Sequence, residues 1–300
     1  MRIVEIMGGL GNQMFQYAFF LKMKNMHNDE CIKIDTTFYD KVNAHNGFEL
    51  KKVFNIDADF ADKKEIYECG KNNINIISNT KFAKIYYKIK RAFLFSDFLC
   101  EKSRREESHE YYDYVLKSEK KYFSGYWQNE KYFKDIENDV RNAFKFPELD
   151  KKNLELSMLI RNTQSVSVHI RRGDYLLSQN SALANVCTDL YYKNSFSYVI
   201  KTIKNPHFFV FSNDIEWCRK NLKMHNVTFV DWNNGEDSYK DMQLMSLCKH
   251  NIIANSSFSW WGAWLNEYNK KIVCVPNTWY NASYPIYVEM PQSWVRIKNY

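Results

Sequence analysis

The stretch that decides the fold is Val166-Ser-Val-His-Ile-Arg-Arg-Gly-Asp-Tyr175. Its first five residues alternate apolar and polar side chains, which predicts a short strand, and Gly173 then breaks the pattern. A histidine, two arginines and a carboxylate therefore stand at the end of one strand. In open α/β sheets, ligands bind at the carboxyl ends of the strands. Because a guanidinium can bind a phosphate with two parallel hydrogen bonds, this strand end predicts a phosphate site.

The second half of the chain continues this alternation of helix and strand. Apolar spacing predicts helices over 151–161, 190–204 and 215–222, and strands over 166–170, 207–212 and 227–230. Such an order is typical of a parallel, doubly wound sheet.

Two more polar loops follow predicted strands in this half. One contains Asn213 and Asp214, which could cap the next helix or contact a ligand. The other runs from Asn255 to Ser259, where small hydroxyl residues before a helix favour an anion. The aromatic residues that follow it are partly at helical spacing, so we expect most of them in the core.

The first half opens with a strand, a glycine loop and a helix. The loop is Gly8-Gly-Leu-Gly11, and the helix over 14–26 carries apolar residues at helical spacing. Glycines at such a turn let the backbone approach a ligand closely, and a helix start favours negative charge. The third glycine of a dinucleotide-binding turn is missing, so the loop is either a ligand loop or a tight packing turn.

The chain is long enough for two domains. Its 300 residues are 45% hydrophobic, which suffices for two ordinary cores. A short aromatic strand is predicted over 122–128, and the helix after it ends at Phe146-Pro147 because proline disfavours helix in the residue before it. We therefore expect one domain over 1–150 and a second over 151–300.

Charge and aromatic content narrow the class of ligand. The 42 Lys and Arg exceed the 35 Asp and Glu by seven, which suits an anionic ligand such as a nucleoside diphosphate. This excess is too small and dispersed to indicate nucleic acid. Aromatic residues make up 17% of the chain, and they could bind sugar rings or enlarge the core.

Cysteine usage and the lack of long apolar runs predict a cytoplasmic protein. The seven cysteines are scattered without a C-x-x-C pair, which is typical of reduced thiols. Met1 leads directly into a strand, so we expect no secretion signal, and no run of about 18 apolar residues suggests a membrane span.

Two further segments have a functional and an ordinary interpretation. Asp57-Ala58-Asp59 has the D-x-D form of some metal-dependent glycosyltransferases, but its polar surroundings favour a solvated surface. The helix predicted over 81–91 has a basic face and an apolar face. It could touch an anionic membrane, although an ordinary packed surface helix is favoured.

Glycine- and serine-rich strand ends together with the H-x-R-R-G-D strand end predict a two-domain nucleotide-binding enzyme. Four motifs make this more specific. His169 to Tyr175 resembles the H-x-R-R-G-D-Y signature of the inverting α-1,2-fucosyltransferases, in their bacterial branch. Their N-terminal, middle and C-terminal motifs are matched in order by 8–18, 125–133 and 254–265. Asn213 departs from the pattern, because many members are expected to carry a second acid beside Asp214.

The resemblance implies an α/β fold of two Rossmann-like domains facing a cleft, the B-type glycosyltransferase fold. The C-terminal half would hold GDP-β-L-fucose, the N-terminal half would help to hold a β-galactoside, and no metal would be required. It implies transfer of L-fucose to the galactose 2-hydroxyl with inversion. A fucosyltransferase of another linkage and a non-catalytic sugar- or nucleotide-binding protein are the alternatives. The oligomeric state is open.

The resemblance also carries over site residues. Those expected to bind the donor are Gly11, Asn12, His169, Arg171, Asp214, Asp241, Ser256, Ser257 and Phe258. Those expected to bind the acceptor are Gln13, Tyr126, Trp127 and Gln128.

Three residues are expected to act in catalysis. Arg171 would bind the β-phosphate and stabilise the leaving GDP, and His169 would contact the ribose or phosphate. Asp174 is the first candidate for the base, with Glu5 and a water bound to Asn12 behind it. Arg172 should point to the opposite face of the strand and form a structural ion pair.

Overall fold

The computed structural model describes residues 1–40, 42, 45–69, 98–100, 109–176, 181–281 and 288–299. The chain divides into two compact units, Met1–Lys145 and Phe146–Tyr300, so the division falls a few residues before the position near Asp150 that we expected. The basic amphipathic helix predicted over 81–91 lies outside the described residues. Among the helices that are described, none is long and apolar enough to cross a membrane.

The N-terminal unit is built on a parallel sheet with helices packed against it. The described strands are β1 (Arg2–Glu5), β2 (Ile32–Asp35), β3 (Phe98–Cys100) and β4 (Tyr122–Ser124), in the order β2-β1-β4-β3. Every described strand pair is parallel. The helices are α1 (Leu10–Met26), α2 (Leu50–Phe54), α3 (Lys63–Glu68), α4 (Asp113–Leu116) and α5 (Glu137–Ala143).

Helix α1 is buried along most of its length, because large apolar side chains recur on it. Phe15, Phe19 and Met23 are almost fully buried. Phe19 stacks on Trp127, with ring centroids 4.6 Å apart. The strand predicted over 122–128 ends early, at Ser124, and Trp127 adopts a positive φ of 53°. That backbone turn ends the extended segment and directs the indole into the core.

The C-terminal unit has six described strands, all parallel. They are β5 (Gln164–Ile170), β6 (Pro206–Ser212), β7 (Val227–Val230), β8 (His250–Ile252), β9 (Val273–Pro276) and β10 (Val295–Ile297), in the order β10-β9-β8-β5-β6-β7. The helices are α6 (Lys151–Asn162), α7 (Asp189–Thr202), α8 (Ile215–Asn221), α9 (Tyr239–Leu247) and α10 (Ser257–Leu265). Strand β10 lies near the end of the chain, beyond the strands that the apolar spacing predicts.

Both faces of this sheet are covered, as a doubly wound fold requires. Val166, Val168 and Ile170 of β5 pack with α7 on one face. Phe209 and Phe211 of β6 pack with α9 on the other. The predicted α/β fold with parallel sheets is therefore confirmed. Because the strands run the same way, their carboxyl ends share one edge, where β5 presents its polar residues.

The tryptophan cluster lies in the core, as expected. The six cysteines with described side chains are all free thiols. Trp260, Trp261 and Trp264 of α10 are buried and pack on one another, so they belong to the core.

Candidate active site

Arg171 is the centre of the polar group at the end of β5. Its Nε lies 2.7 Å from Oδ1 of Asp174, and its Nη2 donates to Oδ2 at 2.9 Å. This two-point contact fixes the plane of the guanidinium. Both side chains are about one-third exposed or less, so the pair is held at the surface of the unit rather than sealed inside it.

His169 lies two residues before Arg171, within β5, and its side chain is buried. It is only 5% exposed, and its Nδ1 is buried without a hydrogen-bond partner among the described residues. Burial, followed by the charge of Arg171, lowers the pKa of His169 to about 3. The imidazole is therefore neutral at physiological pH, and it suits a hydrogen bond to a ligand better than proton transfer.

Arg172 points away from Arg171, as the alternation along a strand requires. Its Nε lies 3.4 Å from Oδ2 of Asp214, and its guanidinium lies 4.0 Å from the ring centre of Trp217. Asp214 also caps α8, because its Oδ1 accepts the Trp217 N–H at 3.3 Å. Arg172 thus forms the structural ion pair expected of it. The Asp214 carboxylate, predicted to bind the donor, is engaged in this pair and in the cap.

A cavity of about 420 Å³ adjoins this strand end. Arg171, Arg172 and Tyr175 line one side of it, and the other side comes from Ala184 to Leu190, at the start of α7. The volume lies within the range of small-molecule sites. Sequence reasoning missed the wall at Ala184 to Leu190, because its only local signal is Thr188, which caps α7.

Tyr175 joins the end of β5 to the start of α10. Its hydroxyl donates to the backbone oxygen of Asn255 at 2.9 Å, and it also interacts with the Ser256 side chain. Helix α10 begins at Ser257, and the side chain of its N-cap residue, Ser256, makes no capping hydrogen bond. The Phe258 ring lies 5.8 Å from the His169 ring. The structure thus brings His169, Ser256 and Phe258 into the same region as Tyr175, a residue that we had not assigned to the site.

The other end of α10 carries a positive charge. Nζ of Lys271 donates to the backbone oxygens of Ala263 at 2.8 Å and Asn266 at 2.6 Å. These carbonyl groups lie at the carboxyl end of the helix, which carries partial negative charge.

Asp241, also predicted to bind the donor, lies in the first turn of α9 in a separate polar network. Its Oδ1 accepts from Nδ2 of Asn233 at 2.8 Å, and Asn233 is bonded in turn to Asn153. Burial raises the pKa of Asp241 to about 7. Helix α9 follows β7, so Asp241 belongs to the carboxyl edge of the sheet, but its contacts are not those of Arg171.

In the N-terminal unit, Gly8 and Asn12 form a close contact at the start of α1. Gly8 has a φ of +79°, and a Cβ there would lie 2.7 Å from Nδ2 of Asn12. Oδ1 of Asn12 accepts from Nε2 of Gln128 at 2.8 Å, so these two predicted ligands are adjacent. Gly11 is buried in the first turn of the helix.

The remaining predicted acceptor residues divide into exposed and buried side chains. Tyr126 is 37% exposed, whereas Trp127 is 1% exposed and stacked on Phe19. Gln13 is fully buried, and its amide nitrogen donates to the backbone oxygens of Gly8 and Gly47. Trp127 and Gln13 therefore have structural roles here, while Tyr126 presents its ring to solvent.

Glu5 and the D-x-D segment complete the predicted positions. Glu5 is 8% exposed and accepts a hydrogen bond from the Ser124 hydroxyl. Asp57 and Asp59 are exposed, as expected of a solvated surface, and line a separate cavity of about 380 Å³.

Comparison with known proteins identifies the family. The chain matches the family model described as Glycosyl transferase family 11 over residues 1–298. It is 39% identical over 306 residues to an alpha-1,2-colitosyltransferase of Escherichia coli, covering 99% of this chain and 98% of that protein. It is 30% identical over 313 residues to the O-antigen biosynthesis glycosyltransferase WbnK of Escherichia coli, covering 97% of this chain and 98% of that protein.

Two further similarities are more distant. Human galactoside alpha-(1,2)-fucosyltransferase 1 is 33% identical over 103 residues, covering 33% of this chain and 28% of that protein. The crystal structure of the fucosyltransferase NodZ from Bradyrhizobium is similar with a TM-score of 0.48 at 14% identity, covering 87% of this chain and 90% of that one. The family model matches nearly the whole chain and confirms the resemblance based on the four motifs, so the protein is a glycosyltransferase that belongs to Glycosyl transferase family 11.

Proposed function

We propose that the protein transfers L-fucose from GDP-β-L-fucose to the 2-hydroxyl of a terminal β-galactoside, with inversion at the anomeric carbon. One observation carries the donor site: Arg171 lines a cavity of about 420 Å³ in a fixed orientation. The neutral His169 and the start of α10, where the Ser256 side chain makes no capping hydrogen bond, belong to the same region. Arginine and the N–H groups at the start of a helix are groups that bind a diphosphate.

The linkage is supported by names among the relatives. The 39% identical relative is an alpha-1,2-transferase, and the human relative is a galactoside alpha-(1,2)-fucosyltransferase. The four sequence motifs support the same linkage. A glycan of the O-antigen type is a fitting acceptor, since the 30% identical relative is named for O-antigen biosynthesis.

A second donor is favoured by one observation. The full-length relative at 39% identity transfers colitose according to its name. Colitose is L-fucose without the 3-hydroxyl group, so GDP-colitose would offer Arg171 the same diphosphate. The two donors differ in a single hydroxyl, and a site that hydrogen-bonds this group discriminates strongly against its absence.

The reaction that we propose is a direct displacement. The galactose 2-oxygen forms a bond to the anomeric carbon as the bond from that carbon to the β-phosphate oxygen breaks, and the electron pair leaves with GDP. The acceptor hydroxyl releases its proton to solvent water as its oxygen bonds to the anomeric carbon. Arg171 and the first turn of α10 stabilise the charge that develops on the diphosphate, which is the part a metal ion plays in other transferases. No metal is required in this proposal.

Asp174 fits an orienting role better than the role of base. Its Oδ2 accepts a hydrogen bond from Nη2 of Arg171, and its Oδ1 lies 2.7 Å from Nε of Arg171 and accepts a hydrogen bond from Asn213. These contacts hold the carboxylate against the guanidinium that it would orient. Positive charge on the sugar in the transition state acidifies the attacking hydroxyl late in the reaction, so a strong base is unnecessary.

The test is a donor and acceptor panel with the purified protein. GDP-fucose and GDP-colitose are each offered with β-1,3- and β-1,4-linked galactosides, GDP release is measured, and the product linkage is read by NMR. We expect an α-1,2-linked fucoside, formed equally well in the presence of EDTA. If the protein used GDP-colitose and not GDP-fucose, the proposed donor would be wrong and GDP-colitose would take its place. If calorimetry detected GDP binding but no sugar were transferred, the enzymatic assignment would be overturned.

A further inference from the structure

Asn213 connects β6 to the turn that carries Arg171. Strand β6 pairs with β5 up to the partners Ile170 and Ser212, so Asn213 immediately follows the last pair. Its Oδ1 accepts the backbone N–H of Arg172 at 3.0 Å, and its Nδ2 donates to Oδ1 of Asp174 at 3.0 Å. The Asn213 amide therefore makes a hydrogen bond to each of the two residues that flank Gly173, Arg172 and Asp174.

The turn is shaped around this amide. A Cβ at Gly173 would lie 2.8 Å from Nδ2 and 3.2 Å from Cγ of Asn213. Atoms at such a distance overlap, so residue 173 must be glycine for the Asn213 amide to reach Asp174. The glycine of the H-x-R-R-G-D motif thus has a specific packing reason in this chain.

The contacts form a chain that ends at Arg171. Asn213 fixes Oδ1 of Asp174, which lies 2.7 Å from Nε of Arg171, and Oδ2 accepts from Nη2 at 2.9 Å. Nη1 is the guanidinium nitrogen that has no partner among the described residues. Orientation of the guanidinium by Asp174 therefore decides where Nη1 can meet a phosphate oxygen.

We propose that Asn213 is a positioning residue for transfer: it acts through Asp174 to hold Arg171 in the orientation that receives the donor diphosphate. This inference rests on the proposed function, in which Arg171 binds the leaving GDP. It requires a donor at position 213. In this chain an aspartate at position 213 would place a second carboxylate about 3 Å from Asp174.

The chemistry gives Asn213→Asp a pH signature. When both carboxylates are ionised they repel, and Asp174 loses the donor that fixes it. When the pair shares one proton, the protonated acid at 213 can donate as the amide does, and this proton is held to a higher pH than usual because the two groups are alike in charge. Asn213→Ala has no such proton and cannot recover.

The kinetic experiment compares the wild type, Asn213→Asp, Asn213→Ala and the control Asn205→Asp at about pH 5.5 and about pH 7.5. Asn205 is exposed and immediately precedes β6, so its substitution by aspartate adds the same charge away from the site. We expect kcat of Asn213→Asp to fall about tenfold to a hundredfold at the higher pH, since misplacement of a binding group costs this much. At the lower pH, kcat of Asn213→Asp should recover relative to that of the wild type, whereas kcat of Asn213→Ala should stay low at both pH values.

A second readout does not depend on turnover. The Arg171 Nε–H resonance, assigned by its loss in Arg171→Lys, reports the contact with Asp174. It should shift in Asn213→Asp at about pH 7.5 and return at about pH 5.5. Wild-type kcat and an unmoved resonance in Asn213→Asp would overturn the inference. If the wild type transferred no sugar, the proposed function would fail, yet the resonance would still decide whether Asn213 positions Arg171.

Discussion

Replacing Asp241 by asparagine should change how the stability of the C-terminal unit depends on pH. Asp241 is half-buried and accepts a hydrogen bond from Asn233 at 2.8 Å. Burial raises its pKa from the ordinary value of 3.8 to about 7. Between these two values the folded chain holds a proton that the unfolded chain has released. The contribution of Asp241 to stability therefore falls as the pH rises through this window and stays low above it.

The size of the effect follows from the two pKa values. A rise from 3.8 to about 7 corresponds to about 4 kcal/mol once the folded-state group is ionised. Because the Asp241 side chain keeps some contact with water, we expect about 2 to 4 kcal/mol. Asparagine is neutral at every pH and can still accept from Asn233. The variant should thus match the wild type below the ordinary pKa of 3.8, exceed it by part of this amount at about pH 5, and exceed it by the full amount above about pH 7.

Urea-induced unfolding followed by tryptophan fluorescence measures this difference at about pH 5 and about pH 8. All tryptophans except Trp127 lie in the C-terminal unit, so the signal reports mainly on that unit. The matched control is Asp189→Asn, which removes an exposed carboxylate from the first turn of α7. If the free energies of unfolding of Asp241→Asn and the wild type differed by the same amount at both pH values, the raised pKa of Asp241 would be refuted.

Three further outcomes follow from the site. Trp127→Leu should lower the unfolding free energy by about 3 kcal/mol, because it removes the indole stacked on Phe19. Tyr126→Ala should unfold like the wild type and raise KM for the acceptor. The reverse result would contradict the structural role of Trp127 and the acceptor-binding role of Tyr126. Arg171→Lys keeps the charge but loses the two-point contact, so kcat should fall about a hundredfold at unchanged thermal stability, and near-normal kcat would count against Arg171. Since the pKa of His169 is about 3, calorimetry in buffers of different ionisation enthalpy should show equal proton uptake on GDP binding for the wild type and His169→Gln.

The sequence predicted well those features that depend on local pattern. The alternation of Val166, Val168 and Ile170 with polar residues predicted β5, and the structure extends it only to Gln164–Ile170. The same alternation placed Arg171 and Arg172 on opposite faces, which their separate ion pairs with Asp174 and Asp214 bear out. Periodicity is a property of neighbouring residues, so it can be read without knowing the rest of the fold.

Features that depend on distant contacts were not accessible in this way. Trp127 and Tyr126 are adjacent aromatic residues in one motif, yet the positive φ at Trp127 buries one ring and leaves the other exposed. Gln13 looks like a ligand in a glycine loop, but its amide holds Gly47, 34 positions away. Such pairings are set by tertiary packing, which no local pattern encodes.

Lys271 changes the electrical character of α10. Its ammonium group lies against the carbonyls of Ala263 and Asn266, so the partial negative charge at that end is cancelled. The opposite end, where the Ser256 side chain makes no capping hydrogen bond, keeps its partial positive charge. To an anion the helix then acts as a single positive centre rather than as a dipole with opposing ends. Peptide groups do not titrate, so this attraction for a diphosphate is independent of pH throughout the physiological range.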